Sequence, residues 1–129
     1  MTETSTHNLV PTAQQRAACL GADGAVAHVG RVIRMIQGRW KLPILFRLYA
    51  DASMRTLQMK RDLPGISQKV LTQHLRELVA DRLIERIDFN EKPLRVEYRL
   101  SQLGRELMPA LIAVRAFSVS HSAEAGATG

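Results

Sequence analysis

A change of hydrophobic period after Leu83 is the feature that most constrains how this chain can fold. Up to that point apolar residues recur every three or four positions, which is typical of helices. Residues 94–100, LRVEYRL, instead alternate apolar and charged side chains, and this strict period of two predicts a strand. The apolar positions of LIERIDF (83–89) predict a second strand, and NEKP (90–93) predicts the hairpin tip between them. The chain must therefore insert a two-stranded hairpin among helices.

Helical spacing predicts the elements on either side of the hairpin. The first predicted helix lies at about 25–36, and the second starts at Gly38 with Pro43 in its first turn. A short helix runs from Thr56 and is ended by Pro64 and Gly65. Two more helices begin at the caps Ser67 and Ser101, and Pro109 interrupts the last one. A short helix, a turn, a second helix and a hairpin follow one another in this order. The order predicts an α+β, mostly helical fold, a winged helix-turn-helix whose wing is the two-stranded β-hairpin.

The stretch GISQKVLTQHLREL (65–78) carries a polar face that lacks acidic residues. On a helix, five polar side chains fall within an arc of about 140°, namely Gln68, Lys69, Thr72, Gln73 and Arg76. Apolar residues and His74 fill the opposite arc, so this helix is amphipathic. A polar face that simply meets water is the structural alternative. The neighbouring hairpin and the absence of an acid between Ser67 and Arg76 favour contact with a nucleic acid instead.

Such a face has the chemistry that the major groove of DNA requires, and a helix fits that groove. Glutamine pairs with adenine, and lysine or arginine pairs with guanine. The free backbone N–H groups at the Ser67 end of the helix suit a phosphate. Lys92 and Arg95 flank the hairpin turn and suit contact with the backbone or the minor groove. The excess of 18 Lys plus Arg over 12 Asp plus Glu favours a polyanionic partner in the same way.

The last helix is apolar on nearly every side from Leu107 to Val114. One small domain cannot cover every face of such a helix, so part of it must be buried against another surface. We therefore predict a two-fold homodimer with flanking N- and C-terminal dimerisation helices. In this dimer the last helix packs against its copy and against the partner's first helix, which produces symmetric DNA half-sites.

Four stretches together resemble the HxlR family of bacterial winged-helix transcription regulators. They are GRWKLPIL (38–45), LPGISQKVLTQHLRELVADRLIER (63–86), RVEYRLSQLG (95–104) and LMPAL (107–111). The resemblance covers about 29–117 and implies a MarR-like fold. It also implies a homodimer that binds a palindromic double-stranded DNA operator, with the helix of 67–81 of each subunit in a major groove. Repression is the direction of regulation that we favour.

The chain divides into three segments, and both ends are polar. We expect a flexible N-terminal arm or a short loose helix at 1–24, a winged-helix DNA-binding and dimerisation domain at 25–118, and a flexible C-terminal tail at 119–129. The chain departs from the family pattern at Arg82, where relatives often have glycine, and this departure should not alter the fold.

Cys19 is the only cysteine of the chain and a candidate redox sensor. The resemblance implies a response to oxidants or to electrophiles such as quinones. Many relatives carry their cysteine about thirteen residues before the tryptophan of the GRW motif, and that place is Ala27 here. An accessible Cys19 could form a disulfide between subunits or with a small thiol, or be alkylated directly. The alternative is a thiol without a role, in a regulator that responds to a different ligand.

Other classes of function find little support in the sequence. It shows no Ser–His–Asp set, no paired carboxylates and no Gly-rich phosphate loop in a suitable context, so we expect no enzyme and no cofactor. Four histidines and one cysteine are scattered without ligand spacing, which predicts no metal site. The single thiol and the lack of a secretory or membrane-spanning pattern predict a cytoplasmic protein with no membrane partner. A winged helix used only as a protein-interaction module remains the main alternative to operator binding.

Overall fold

The computed structural model describes residues 12–122, and the chain divides into two units after Gln37. The described part of the first unit, residues 12–37, forms two helices, α1 (Ala13–Leu20) and α2 (Ala25–Ile36). The bounds predicted for α2 are therefore confirmed. A capping box begins α1. The Thr12 hydroxyl accepts the backbone N–H of Gln15, and the Gln15 side-chain oxygen accepts the backbone N–H of Thr12.

The two segments predicted to be flexible are described only in part. Residues 1–11 of the N-terminal segment and residues 123–129 of the C-terminal segment lie outside the described residues. Within the described part, α1 occupies much of the predicted arm, and the last helix of the chain extends to Ser120. The flexibility of both segments stays a prediction.

Between residues 38 and 122, the second unit forms four helices and one hairpin. Its elements are α3 (Lys41–Ala50), α4 (Thr56–Asp62), α5 (Gln68–Ala80), β1 (Ile84–Asp88), β2 (Val96–Leu100) and α6 (Gln102–Ser120). The strands form a two-stranded antiparallel sheet. The predicted fold class is confirmed, because the fold is a mostly helical winged helix-turn-helix with one antiparallel hairpin.

The hairpin is joined to the helices by a short extended segment. Ile84 pairs with Leu100 at its base and Asp88 pairs with Val96 at its outer end. Met54, in the connection between α3 and α4, forms an isolated bridge to Tyr98 with backbone bonds of 2.9 and 2.7 Å. The inward alternation predicted from residue 94 begins two residues later, because Leu94 is exposed and lies before the strand.

Leucines of α5 form the centre of the core. The fully buried side chains of α5 and the surrounding elements are Ile44, Leu45, Met59, Leu71, Leu75, Leu78, Leu83, Ile84 and Met108. Burying one such side chain contributes about 1.5–3 kcal/mol to stability. The apolar arc of α5 therefore fixes this helix in the unit, and the opposite arc remains outside.

Backbone conformations with positive φ set two helix boundaries. Gly38 has a φ of 103°, which a helix does not accept, so α3 begins at Lys41 and the predicted start at Gly38 is wrong. Arg82 has a φ of 65° in the turn that follows α5. Glycine adopts this left-handed conformation most readily, but arginine adopts it here and the helix-turn-helix fold is kept.

Pro109 lies inside a continuous α6, so the predicted interruption of the last helix is wrong. Proline removes one backbone hydrogen bond and crowds the preceding turn. Here the ring lies on the exposed side of the helix, while the neighbouring side chains of Met108 and Leu111 are buried in the core. Packing on both sides of the proline holds the helix together across it.

Candidate nucleic-acid interface

The helix-turn-helix consists of α4, a turn at 63–67, and α5. Leu63 and Ile66 are buried, which fixes the turn beneath the two helices. Ser67 has extended backbone angles and its hydroxyl accepts the N–H of Val70 at 3.1 Å, so the predicted N-cap is confirmed. The start of α5 is exposed and carries no acid in its first turn, which leaves its positive end accessible to an anion.

The five polar side chains predicted on α5 share one face of the helix. Gln68, Lys69, Gln73 and Arg76 are exposed and Thr72 is half-buried. Opposite them, the three leucines of α5 are buried and His74 is half-buried, as the amphipathic pattern predicts. The Gln68 amide donates to the Thr72 hydroxyl at 3.3 Å. The structure thus brings together the polar residues that the sequence singled out on this helix.

Glu77 is the acid nearest to this face, and two side chains hold it. Lys41 Nζ lies 2.8 Å from Glu77 Oε1, and the Gln73 amide donates to Oε2 at 3.2 Å. The hydrogen bond from Lys41, followed by that from Gln73, lowers the pKa of Glu77 below its ordinary value. The carboxylate is therefore ionised and paired, so its repulsion of a nearby phosphate is reduced.

The hairpin tip presents Lys92 and Arg95 differently. Lys92 is exposed. Arg95 is half-buried, with its guanidinium 3.9 Å above the ring of Phe89 and its Nε 3.0 Å from Glu97 Oε2. A second carboxylate, from Glu91, lies 3.6 Å from the same guanidinium. Lys92 therefore presents its charge openly, whereas the charge of Arg95 is partly neutralised within the wing.

Glu97 joins the wing to the connection between α3 and α4. Its side chain is 15% exposed, and it accepts the Ser53 hydroxyl at 2.6 Å in addition to Arg95. Arg55 lies 3.9 Å away. The hydrogen bond from Ser53, followed by that from Arg95, lowers the pKa of Glu97. Together with the bridge from Met54, this carboxylate fixes the wing relative to the helix-turn-helix.

The two acids that organise this interface, Glu77 and Glu97, could be recognised only in part from the sequence. The spacing of four residues between Gln73 and Glu77 is visible in the sequence as a helical pair. Lys41 and Ser53, the partners from other elements, carry no sequence signal, because tertiary folding alone brings them close. Arg47 is also a structural cation, since it pairs with Asp51 and with Asp62 at 2.8 Å and so ties α3 to the end of α4.

Apolar side chains form a largely exposed stripe along α6, which we call the α6 stripe. Its members are the half-buried Leu107 and the exposed Leu103, Ala110, Val114 and Phe117. Their alternating spacing of four and three residues is that of helices that pair with other helices. Val114 is 64% and Phe117 68% exposed, whereas Met108 and Leu111 on the other side are buried. The apolar residues of the last helix therefore divide between a core face and an exposed face.

Two further site predictions concern a thiol and metal ligands. Cys19 is a free, exposed cysteine in the last turn of α1. Among residues 12–122, no cluster of three or more histidine, cysteine or acidic side chains could hold a metal ion. In the same part of the chain, no helix has both the length and the apolar character needed to cross a membrane.

Comparison with known proteins identifies a family whose sequence pattern this chain matches. Residues 35–125 match the model of the family described as HxlR-like helix-turn-helix. The HTH-type transcriptional regulator YtcD of Bacillus subtilis (strain 168) is 44% identical over 93 residues, which are 72% of this chain and 73% of that protein.

Two solved structures are similar to this one over most of its length. A protein of Enterococcus faecalis V583, assigned to the MarR family of transcriptional regulators, is 31% identical, with a TM-score of 0.72 over 92% of this chain and 97% of its own. The redox regulator HypR, in its reduced form, is 30% identical, with a TM-score of 0.68 over 74% of this chain and 93% of its own.

Proposed function

Since this chain belongs to the HxlR-like helix-turn-helix family of transcriptional regulators, we propose that it is a repressor that binds a palindromic operator as a homodimer. Its family consists of DNA-binding regulators rather than enzymes. The observation that best supports operator binding is the exposed face of α5, where polar and basic side chains lie together and Glu77 is paired with Lys41. A regulator of this kind works beside the DNA, so we assign it to the cytoplasm.

Each part of the interface has a separate task in this proposal. The side chains that read base edges in the major groove are Gln68, Lys69, Thr72, Gln73 and Arg76. The N–H groups at the Ser67 end of α5 bind a phosphate. Lys92 and Arg95 bring the wing to the backbone or the minor groove, and the exposed Lys92 contributes most of this charge.

The homodimer is supported by exposed apolar surface on both flanking helices. Besides the α6 stripe, α2 exposes Val26, Val29 and Ile33, which recur at helical spacing. Pairing such faces between two subunits buries them and creates a two-fold axis. Two copies of α5 related by this axis match the symmetry of a palindromic operator.

Alanine variants separate base reading from phosphate binding. Replacing Gln68, Lys69 or Gln73 should relax the sequence preference, with a loss of about 1–3 kcal/mol for each good base contact. Replacing Lys92 or Arg95 should weaken binding to every sequence and lower the slope of affinity against salt, by about 1 for each lost phosphate contact. The measurement is the affinity for selected and scrambled duplexes across a salt series.

Arg99→Ala is a matched control for the wing variants, because it removes an arginine near the base of the hairpin, away from the tip, where it pairs with Glu85 at 2.9 Å. Its salt slope should equal that of the wild type. If the wing variants changed base preference while the α5 variants bound all sequences normally, the two assignments would be reversed. A wild-type protein that binds no DNA would favour the protein-interaction module instead.

We also propose that Cys19 makes the regulator responsive to oxidants or electrophiles such as quinones. Its thiol is exposed in α1, and HypR, a structural neighbour, is a redox regulator. Because the chain has one cysteine, oxidation joins two subunits or adds a small thiol, and an electrophile alkylates the sulfur directly. The alternative is a regulator whose ligand acts without this thiol.

The test compares wild type with Cys19→Ser before and after treatment with diamide or a quinone. We expect treatment to change the operator affinity of the wild type by about 5- to 150-fold, the usual range of allosteric coupling, and to leave Cys19→Ser unchanged. A non-reducing gel distinguishes a disulfide-linked dimer from a modified monomer. Equal responses of the two proteins would assign the signal to another ligand.

A further inference from the structure

We infer that Glu77 is a positioning residue that presets the side-chain amide of Gln73 for an adenine of the operator. The inference rests on the operator binding proposed above and adds which base one α5 side chain reads, and why. Gln73 would touch the base, whereas Glu77 would act only through Gln73.

The two oxygens of Glu77 face different partners. Oε1 accepts from Lys41 Nζ at 2.8 Å and lies 4.0 Å from His74 Nδ1, whereas Oε2 accepts from the Gln73 amide at 3.2 Å. The Lys41 side chain is 13% exposed, whereas that of Glu77 is 41% exposed, so the lysine end of this pair is enclosed and the carboxylate reaches the surface. Lys41 therefore fixes the carboxylate from the side of the core, and the carboxylate fixes Gln73 on the exposed side.

The charge of Glu77 decides which way the amide of Gln73 turns. An ionised carboxylate can only accept hydrogen bonds, so the amide must direct an N–H toward it and cannot direct its carbonyl there. An ordinary glutamate is already ionised at neutral pH, and the hydrogen bonds from Lys41 and Gln73 lower the pKa of Glu77 further. One N–H of Gln73 is then occupied, while its carbonyl oxygen and its second N–H remain for another partner.

A carbonyl and an N–H side by side are complementary to adenine. In the major groove adenine presents the N6 donor and the N7 acceptor, and a glutamine amide pairs with both. Guanine presents two acceptors, O6 and N7, and one of them would face the carbonyl of Gln73. An amide that Glu77 prevents from rotating must therefore prefer an A·T pair.

Gln68 provides a comparison within the same helix. Its amide donates to the hydroxyl of Thr72, and a hydroxyl can both donate and accept. The amide of Gln68 can therefore rotate by half a turn and keep a partner. The base read by Gln68 should consequently be less restricted than the base read by Gln73.

The experiment selects bound sequences from a library of duplex DNA with a randomised central segment, using the full-length protein. The position that loses its preference in Gln73→Ala is the one that Gln73 reads. The wild type should prefer A·T there by roughly 5- to 150-fold. Glu77→Gln should lower that preference by about fivefold or more and leave the preferences at the other positions unchanged.

Two further variants keep the result interpretable. Glu106→Gln is the matched control, because it alters the same type of pair in α6, where Gln102 donates to Glu106 at 3.0 Å, and it should change no preference. Lys41→Met combined with Glu77→Gln avoids leaving the enclosed lysine without its counter-charge, and it should reproduce the loss at the one position. A general destabilisation of α5 would instead weaken the base preference at every operator position.

The inference is overturned if Glu77→Gln and the double variant keep the preference that Gln73→Ala loses. It is also overturned if that position prefers G·C, or if Gln73→Ala loses no position. A wild type that enriches no sequence overturns operator binding itself, and this inference with it. The first three results would leave operator binding intact, so the two failures are distinguishable.

Discussion

Gly104→Ala is expected to lower the free energy of unfolding of the second unit by about 3 kcal/mol or more. A Cβ at position 104 would lie 2.1 Å from the carbonyl oxygen of Leu83 and 3.2 Å from a methyl carbon of Leu100. The first obstacle is backbone, so no side-chain rotation can remove the overlap. The same carbonyl accepts the N–H of Ser101 at 3.0 Å, which fixes it against the start of α6. The substitution must therefore push α6 away from the base of the hairpin.

Chemical denaturation of the two proteins measures this difference, and Gly30→Ala is the matched control. A Cβ at position 30, inside α2, would meet only the end of the flexible Arg34 side chain, at 3.5 Å. Alanine there should stabilise the helix by roughly 0.5–1 kcal/mol, because glycine is the poorer helix former. Equal unfolding midpoints for Gly104→Ala and the wild type would mean that α6 does not approach Leu83 this closely.

Gly104 illustrates which parts of the fold the sequence could predict. Its neighbour Ser101 was identifiable as a helix cap, because a hydroxyl before an apolar-periodic stretch is a local signal, and the cap is present. The need for glycine three residues later arises from a carbonyl in another element. Local signals therefore located α2 to α6, the strands and Ser67, whereas close approaches between elements required the structure.

The candidate interface divides in the same way. The polar face of α5 follows from helical periodicity, so its five side chains could be selected from the sequence. The pairing of Glu77 with Lys41 and of Glu97 with Ser53 depends on how α3 and its connection fold beside α5 and β2. These contacts restrain the side chains of Gln73 and Arg95. They also distinguish the exposed Lys92 from the partly neutralised Arg95, which the sequence analysis treated alike.

The last helix shows how the structure sharpens a prediction from composition. Its apolar residues predicted an interface because one domain could not cover them all. In the structure, the side chains of Met108 and Leu111 are buried in the core, so a partner subunit cannot contact them. The α6 stripe remains, and its spacing allows it to pack against a second copy along several turns. The proposed dimer should consequently depend on the stripe and not on exposed apolar residues elsewhere on α6.

Val114→Glu is therefore expected to convert the dimer into a monomer at micromolar concentration. Two-fold symmetry places two copies of residue 114 in one interface, so the substitution introduces two charges into a surface that pairing would bury. We expect the dimer dissociation constant to rise by about 100-fold or more and the operator affinity to fall with it. Light scattering over a concentration series measures the first effect, and titration of the selected duplex measures the second.

Val119→Glu is the matched control, because the same substitution is made at a similarly exposed valine about 140° around the helix. This variant should remain a dimer and bind the operator as the wild type does, since residue 119 lies off the stripe. Unchanged helicity by circular dichroism would exclude unfolding as the cause of the Val114→Glu effect. A dimeric Val114→Glu beside a monomeric Val119→Glu would put the interface on the other face of α6, and a wild type that is monomeric both alone and on DNA would contradict the dimer itself.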